Sequence, residues 1–107
     1  MNSFDDRGRA QEKKFELSQE LEFKAQARRN KRLGLWAAGL MGITGEAADA
    51  YAASVVASDF AEAGDEDVFR KVRGDLDAKG VAQSDHQIRA RMDELLQQAR
   101  ADVKAGT

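Results

Sequence analysis

The only histidine in the sequence is the first residue to consider for chemistry. His86 lies two positions after Ser84, and the chain has no cysteine to accompany it. A metal site or an acid–base catalyst needs partner groups at set spacings, such as a second ligand or an adjacent nucleophile. We therefore interpret His86 as an exposed residue in the first turn of a helix, and we expect no metal site.

Sequence motifs of enzymes are missing as well. No Gly-x-Ser-x-Gly elbow occurs, and the glycines between residues 34 and 45 fit neither the dinucleotide fingerprint nor the P-loop. The acidic run GDEDVF suggests a calcium loop, but Phe69 and Arg70 occupy positions that require a ligand and a glycine. We interpret Asp65 in this run as a helix N-cap, and the sequence predicts that the protein is not an enzyme.

A basic run is the next candidate for function. No acidic residue occurs from Lys24 to Gly45. On a helix, four cations would share one face: Lys24, Arg28, Lys31 and Arg32. Such a face can bind a phosphate-rich surface or an acidic protein. Alternatively, it pairs within the fold with the acidic residues at 59, 62 and 65–67, and the acidic balance of the chain favours this interpretation.

The N-terminal stretch SFDDRGRAQEKKF raises a separate question. Seven of its thirteen residues are charged, so Phe4 and Phe15 have no apolar neighbours to pack against except Ala10. A segment of this composition cannot bury enough apolar surface to offset the entropy of ordering it alone. It can fold on a partner, with the two phenylalanines as anchors on nearly the same helix face, eleven residues apart.

Composition limits the classes of protein that come into question. The chain has 107 residues, 42% hydrophobic and 34% charged, with a net charge of -2. That length suits one domain, and the charge balance gives no general affinity for nucleic acid. No apolar run approaches the ~20 residues needed to span a bilayer, and the N-terminus lacks the features of a signal peptide. We expect a cytoplasmic protein that neither binds nucleic acid nor inserts into a membrane.

The elements that would position these residues are all helical. Proline is absent, and the apolar residues recur at helical spacing in four segments. Ser84 and Gln87 fit a capping box, Thr44 is a candidate N-cap, and Gly42 and Gly80 suit positions just after a helix. The prediction is an all-α, small four-helix bundle with a mobile N-terminal arm, and helices at about 17–41, 45–61, 66–79 and 85–104.

Four stretches of the sequence are similar to a known family. They are FDDR, LEFKAQARRNKRLGLWAAGLMG, GDEDVFRKVRGDLDAKG and SDHQIRARMDELL, which together cover essentially residues 3–99. The chain resembles the zeta subunit of alphaproteobacterial ATP synthases, a bacterial inhibitor of ATP hydrolysis. One position departs from the family, because Gly8 stands where a glutamate usually follows FDDR.

The resemblance implies a function and a division of the chain. Residues 1–18 would be a flexible inhibitory arm that folds into the interface of the catalytic head, among the alpha, beta and gamma subunits, and blocks rotation. Residues 19–105 would be a four-helix anchoring domain on the outside of the head. The arm residues implied to contact the partner are Phe4, Asp5, Asp6, Arg7, Arg9 and Phe15.

Further expectations follow from the same resemblance. The protein would be monomeric when free and would lie on the cytoplasmic face of the inner membrane through its binding to the synthase. Gly8 would weaken the arm helix, since glycine in a helix interior costs about 1 kcal/mol relative to alanine. The basic face, apart from the resemblance, indicates the alternative function: a helical regulatory module that binds nucleotide or phosphate through Lys24, Arg28, Lys31 and Arg32. No cofactor is expected, apart from weak binding of ATP or ADP there.

Overall fold

The computed structural model describes the backbone of residues 3–60 and 64–106, and the side chains of residues 19–59 and 64–106. The helices are α1 (Ser3–Leu40), α2 (Gly45–Ala57), α3 (Glu66–Ala78) and α4 (Asp85–Lys104), and no strand occurs in these residues. The predicted all-α fold of four helices is confirmed.

Two helix bounds differ from the predicted ones by more than one residue. α1 begins at Ser3 instead of about residue 17, because the intervening residues are mostly good helix formers whose backbone bonds need no burial. α2 ends at Ala57 and is followed by a short 3-10 turn, Ser58–Phe60, in which Asp59 leaves helical geometry. The predicted mobility of the arm and its boundary at residue 18 stay predictions.

α1 lies between α2 and α4 and runs antiparallel to both. Its Asn30 reaches Asp59 at the end of α2, while Gly34 contacts Ala52 further back. α3 runs antiparallel to α4 and completes the core. The main core contains buried residues from all four helices: Leu33, Ala37, Val55, Val68, Phe69, Val72, Leu76, Ile88, Met92 and Leu95.

A second, smaller apolar cluster joins the first helix of the chain to the last one. Ala25 of α1 packs with Ala99 and Val103 of α4, and Leu21 and Leu96 cover them. This cluster fixes α1 at the point where its N-terminal part leaves the bundle. It lies only a few residues after the predicted arm.

The helix ends follow the local sequence signals in most places. The Ser84 hydroxyl accepts a hydrogen bond from the Gln87 backbone N–H, and the Gln87 side chain accepts one from the Ser84 backbone, so the predicted capping box is confirmed. Gly42 and Gly80 have φ of 75° and 70° and end α1 and α3, as predicted. Thr44 is an N-cap by position, but its side chain accepts no capping bond.

No helix in the described part of the chain is both long and apolar enough to cross a bilayer.

Candidate functional site

α1 carries every residue that the sequence assigned to a site. The six arm residues lie between Phe4 and Phe15, where the structure describes a helical backbone but not the side chains. Their predicted contacts therefore lie outside the described residues. The structure does place them on the helix that continues into the core, with Leu33 buried in the bundle eighteen residues after Phe15.

The four predicted cations of the basic face do not form a uniform open surface. Lys24 and Lys31 are exposed, whereas Arg28 and Arg32 are half-buried. Arg32 forms an ion pair with Asp102 of α4 across the side of the bundle. The basic face thus consists of two exposed lysines and two arginines that are partly covered by the rest of the bundle.

The fifth cation of the run, Arg29, is a structural residue. Its side chain is 1% exposed, its Nε donates to Asn30 Oδ1 at 2.6 Å, and its Nη2 donates to Asp65 Oδ1 at 2.7 Å. Asn30 in turn donates to Asp59 at 2.9 Å. The network ties the centre of α1 to the connection between α2 and α3.

This network corrects one interpretation made from the sequence. Asp65 does occupy the N-cap position of α3, but its side chain accepts no capping hydrogen bond and pairs with Arg29 instead. The buried guanidinium attracts the carboxylate more strongly than a backbone N–H does, since both partners are charged. The prediction that basic residues of α1 pair within the fold is confirmed at Asp65, while Glu62 lies outside the described residues.

A second ion pair lies close to the start of the bundle. The Arg100 guanidinium of α4 donates to both carboxylate oxygens of Glu22, at 2.8 and 2.6 Å. These bonds lower the pKa of Glu22 below its ordinary value, against the opposing effect of partial burial. The pair lines a groove between α1 and α4 together with Leu21, Gln97, Ala101 and Lys104.

One exposed residue on α1 was not identified from the sequence. Phe23 is 68% exposed, the most exposed of the large hydrophobic side chains that the structure describes. A helical wheel could have found it, because Phe23 falls outside the apolar row of Leu21, Ala25 and Leu33. Its exposure makes it available to a partner.

The only histidine and the only tyrosine are the other polar residues of the described side chains to consider. His86 is exposed and lines a shallow pocket beside Trp36 and Arg91, with no nucleophile among the residues around that pocket. Tyr51 donates to Asp75 at 2.8 Å, and burial together with this bond raises the pKa of its hydroxyl. In the described part of the chain, no three His, Cys, Asp or Glu side chains lie together as a metal ion would require.

Comparison with known proteins identifies a family and a similar solved structure. A family model described as ATPase inhibitor subunit zeta matches residues 1–102. The chain is also similar to a solved solution NMR structure, with 48% sequence identity and a TM-score of 0.71, over 81% of this chain and 99% of the other. No curated relative matches the sequence.

Proposed function

Because the chain belongs to the ATPase inhibitor subunit zeta family, we propose that it is a regulatory subunit that inhibits ATP hydrolysis by ATP synthase. The observation that carries this proposal is the extent of the family match, which includes the predicted arm as well as the bundle. The chain acts as a protein inhibitor and not as an enzyme.

The arm, residues 1–18, inserts into the interface of the catalytic head among the alpha, beta and gamma subunits. There it obstructs rotation in the direction of hydrolysis, which needs bulk and rigidity but no reacting group. Phe4 and Phe15 are the apolar anchors, and each buried ring contributes about 1.5–3 kcal/mol. The charged residues set the register of the arm by complementarity with the partner: Asp5, Asp6, Arg7 and Arg9.

Residues 19–105 anchor the arm on the outside of the head. The support for this role is that α1 extends from the arm into the bundle, where α2 and α4 hold it on two sides. The free protein is a monomer, and in the cell it lies on the cytoplasmic face of the inner membrane through its attachment to the synthase.

The test is ATP hydrolysis by the isolated catalytic head, measured with the full chain and with residues 1–18 deleted. The full chain should inhibit, and the shortened chain should not, although its far-UV circular dichroism remains helical. The full chain carrying Phe4→Ala and Phe15→Ala together should lose most of its inhibition. Equal inhibition by the full and shortened chains would exclude the arm mechanism.

We propose nucleotide or phosphate binding as the alternative function. The observation that favours it is the exposure of Lys24 and Lys31, which have no ion-pair partner among the described residues. Arg28 and Arg32 would complete the site, and Arg32 would have to leave Asp102. Titration with ATP and ADP, followed by amide chemical shifts, tests this function, and it requires shifts confined to residues 24–32.

A further inference from the structure

An exposed ridge runs along α1 beyond the arm. It consists of Phe23, Ala27, Lys31 and Leu35, spaced by four residues, which we call the α1 ridge; Ala27 is partly buried and the other three are exposed. Phe23 is 68% exposed and Leu35 38% exposed, so the ridge presents apolar surface at both ends. Rows of residues spaced by four are the surfaces that pack into the grooves of a neighbouring helix.

A shallow groove beside the ridge provides further apolar surface. Lys31 lines it from α1, and Ala53 and Val56 line it from α2, with Asp49 as its acidic residue. A second helix laid against the ridge would therefore contact two helices of the bundle. This arrangement suits an amphipathic helix, which uses apolar anchors at spacings of three and four residues.

The charges next to the ridge select an acidic partner. Lys24 adjoins Phe23, Lys31 lies within the ridge, and both side chains are exposed. α1 carries no acidic residue from Lys24 to its end. Among the described residues neither lysine has an ion-pair partner, and the two ammonium groups outnumber the single carboxylate of the groove, Asp49. Together with the exposed ring of Phe23 they favour a surface that combines carboxylates with apolar side chains.

The position of the ridge identifies where that partner belongs. Phe23 lies five residues after the end of the proposed arm, which is about 7.5 Å along the same helix. Any protein that encloses the arm is therefore within reach of Phe23 and Lys24. We propose that the α1 ridge and Lys24 dock an acidic amphipathic helix of the catalytic head, an inference that rests on the proposed function.

The experiment measures binding of full-length chains to the isolated catalytic head. Phe23→Ala should raise the Kd about tenfold to thirtyfold, as expected for the loss of a central aromatic contact. Lys24→Glu with Lys31→Glu should weaken it similarly, and more at low salt than at high salt. The control is Leu40→Ala, which truncates a residue that is 37% exposed on the same helix but outside the ridge.

The outcome separates this docking surface from the arm mechanism. Phe23→Ala should raise the concentration needed for half-maximal inhibition while the maximal inhibition at saturation stays that of the unmodified chain. A Kd for Phe23→Ala equal to that of Leu40→Ala overturns the docking surface and leaves the proposed function in place. If the unmodified chain does not bind the head, the proposed function itself fails.

Sedimentation of the free chain provides the second measurement. We expect a monomer for the unmodified chain and for Phe23→Ala. A dimer that forms in the unmodified chain and is lost in Phe23→Ala would overturn the proposal, because the ridge would then be covered by a second copy.

Discussion

The Nη2 atom of Arg29 lies 2.7 Å from the Oδ1 atom of Asp65, and these two residues join α1 to the start of α3. The arginine side chain is 1% exposed and the aspartate 42%, so the cation is buried and the anion reaches solvent. A buried guanidinium needs its acceptors, because an unpaired charge in the interior is costly.

We expect Asp65→Asn to lower the free energy of unfolding by about 1–3 kcal/mol, because the buried Arg29 loses its charged acceptor. Urea unfolding measures this change. The matched control is Asp77→Asn, which removes an exposed partner of Arg73 and should change stability by less than about 0.5 kcal/mol. Equal losses in the two variants would contradict a structural role for the Arg29–Asp65 pair.

Gly34→Ala should destabilise the protein by about 1–3 kcal/mol. A Cβ at Gly34 would lie 2.6 Å from the Ala52 Cα, so α1 and α2 would have to move apart. The control is Gly74→Ala in α3, where a Cβ meets no atom within 4 Å. Gly74→Ala should stabilise the protein by about 0.5–1 kcal/mol through helix propensity alone. Thermal unfolding should therefore show a lower Tm for Gly34→Ala and a higher Tm for Gly74→Ala. A rise in Tm for Gly34→Ala would show that the two helices are not in close contact.

Glu22→Gln should reduce stability at pH 7 by about 0.5–1 kcal/mol, since Glu22 and Arg100 are partly exposed. The pKa of Glu22 is lowered in the folded protein, so its contribution is present above its ordinary value of 4.5 and is lost as the pH falls through the folded value. The difference in the free energy of unfolding between Glu22→Gln and the unmodified chain should therefore become smaller as the pH is lowered from 7 to 3. Urea midpoints at both pH values test this, with the exposed Glu94→Gln as control.

Ser84→Ala should lower the free energy of unfolding by about 1 kcal/mol, because α4 loses one half of its capping box. Thr44→Ala makes the same kind of change at the N-cap position of α2, where no side-chain capping bond exists. Thr44→Ala should therefore change the free energy of unfolding by less than about 0.5 kcal/mol. Thermal unfolding of the two variants side by side gives the comparison, and a larger loss in Thr44→Ala would refute it.

Gly8→Glu should strengthen inhibition of the catalytic head and lower the half-inhibitory concentration about fivefold. The glycine costs the arm helix about 1 kcal/mol, which corresponds to that factor if helix formation limits binding. Gly74→Ala, a replacement of glycine in the bundle, should leave inhibition unchanged. An unaltered potency in Gly8→Glu would mean that folding of the arm does not limit its insertion.

The parts of the fold that the sequence predicted correctly depend on local chemistry. The capping box at Ser84 and the left-handed glycines at 42 and 80 each need only neighbouring residues, and α4 accordingly begins at the predicted residue. α3 also begins where predicted, at Glu66, although Asp65 makes no capping bond. The end of α2 was predicted too late: Asp59 leaves helical geometry and accepts a hydrogen bond from Asn30, a residue far away in sequence.

The candidate site was less predictable for the same reason. Arg29 falls in the apolar row of Leu21, Ala25 and Leu33, so the helical period already favours its burial, whereas its partner Asp65 lies 36 residues away and could not be identified from the local sequence. Gly34 reads in sequence as a helix breaker, whereas it is the contact that lets α2 approach α1. The exposure of Phe23, in contrast, follows from its place outside the apolar row and could have been predicted.

Because α1 is one continuous helix, its length fixes the rotational orientation of the arm relative to the bundle. The helix runs for 38 residues without interruption, a rod of about 57 Å at ~1.5 Å per residue. One residue inserted after residue 18 would rotate everything before it by ~100° about the axis of the rod. Seven inserted residues would restore the original orientation to within ~20°, at a separation about 10 Å greater. The tolerance of α1 for insertions should therefore follow the helical period.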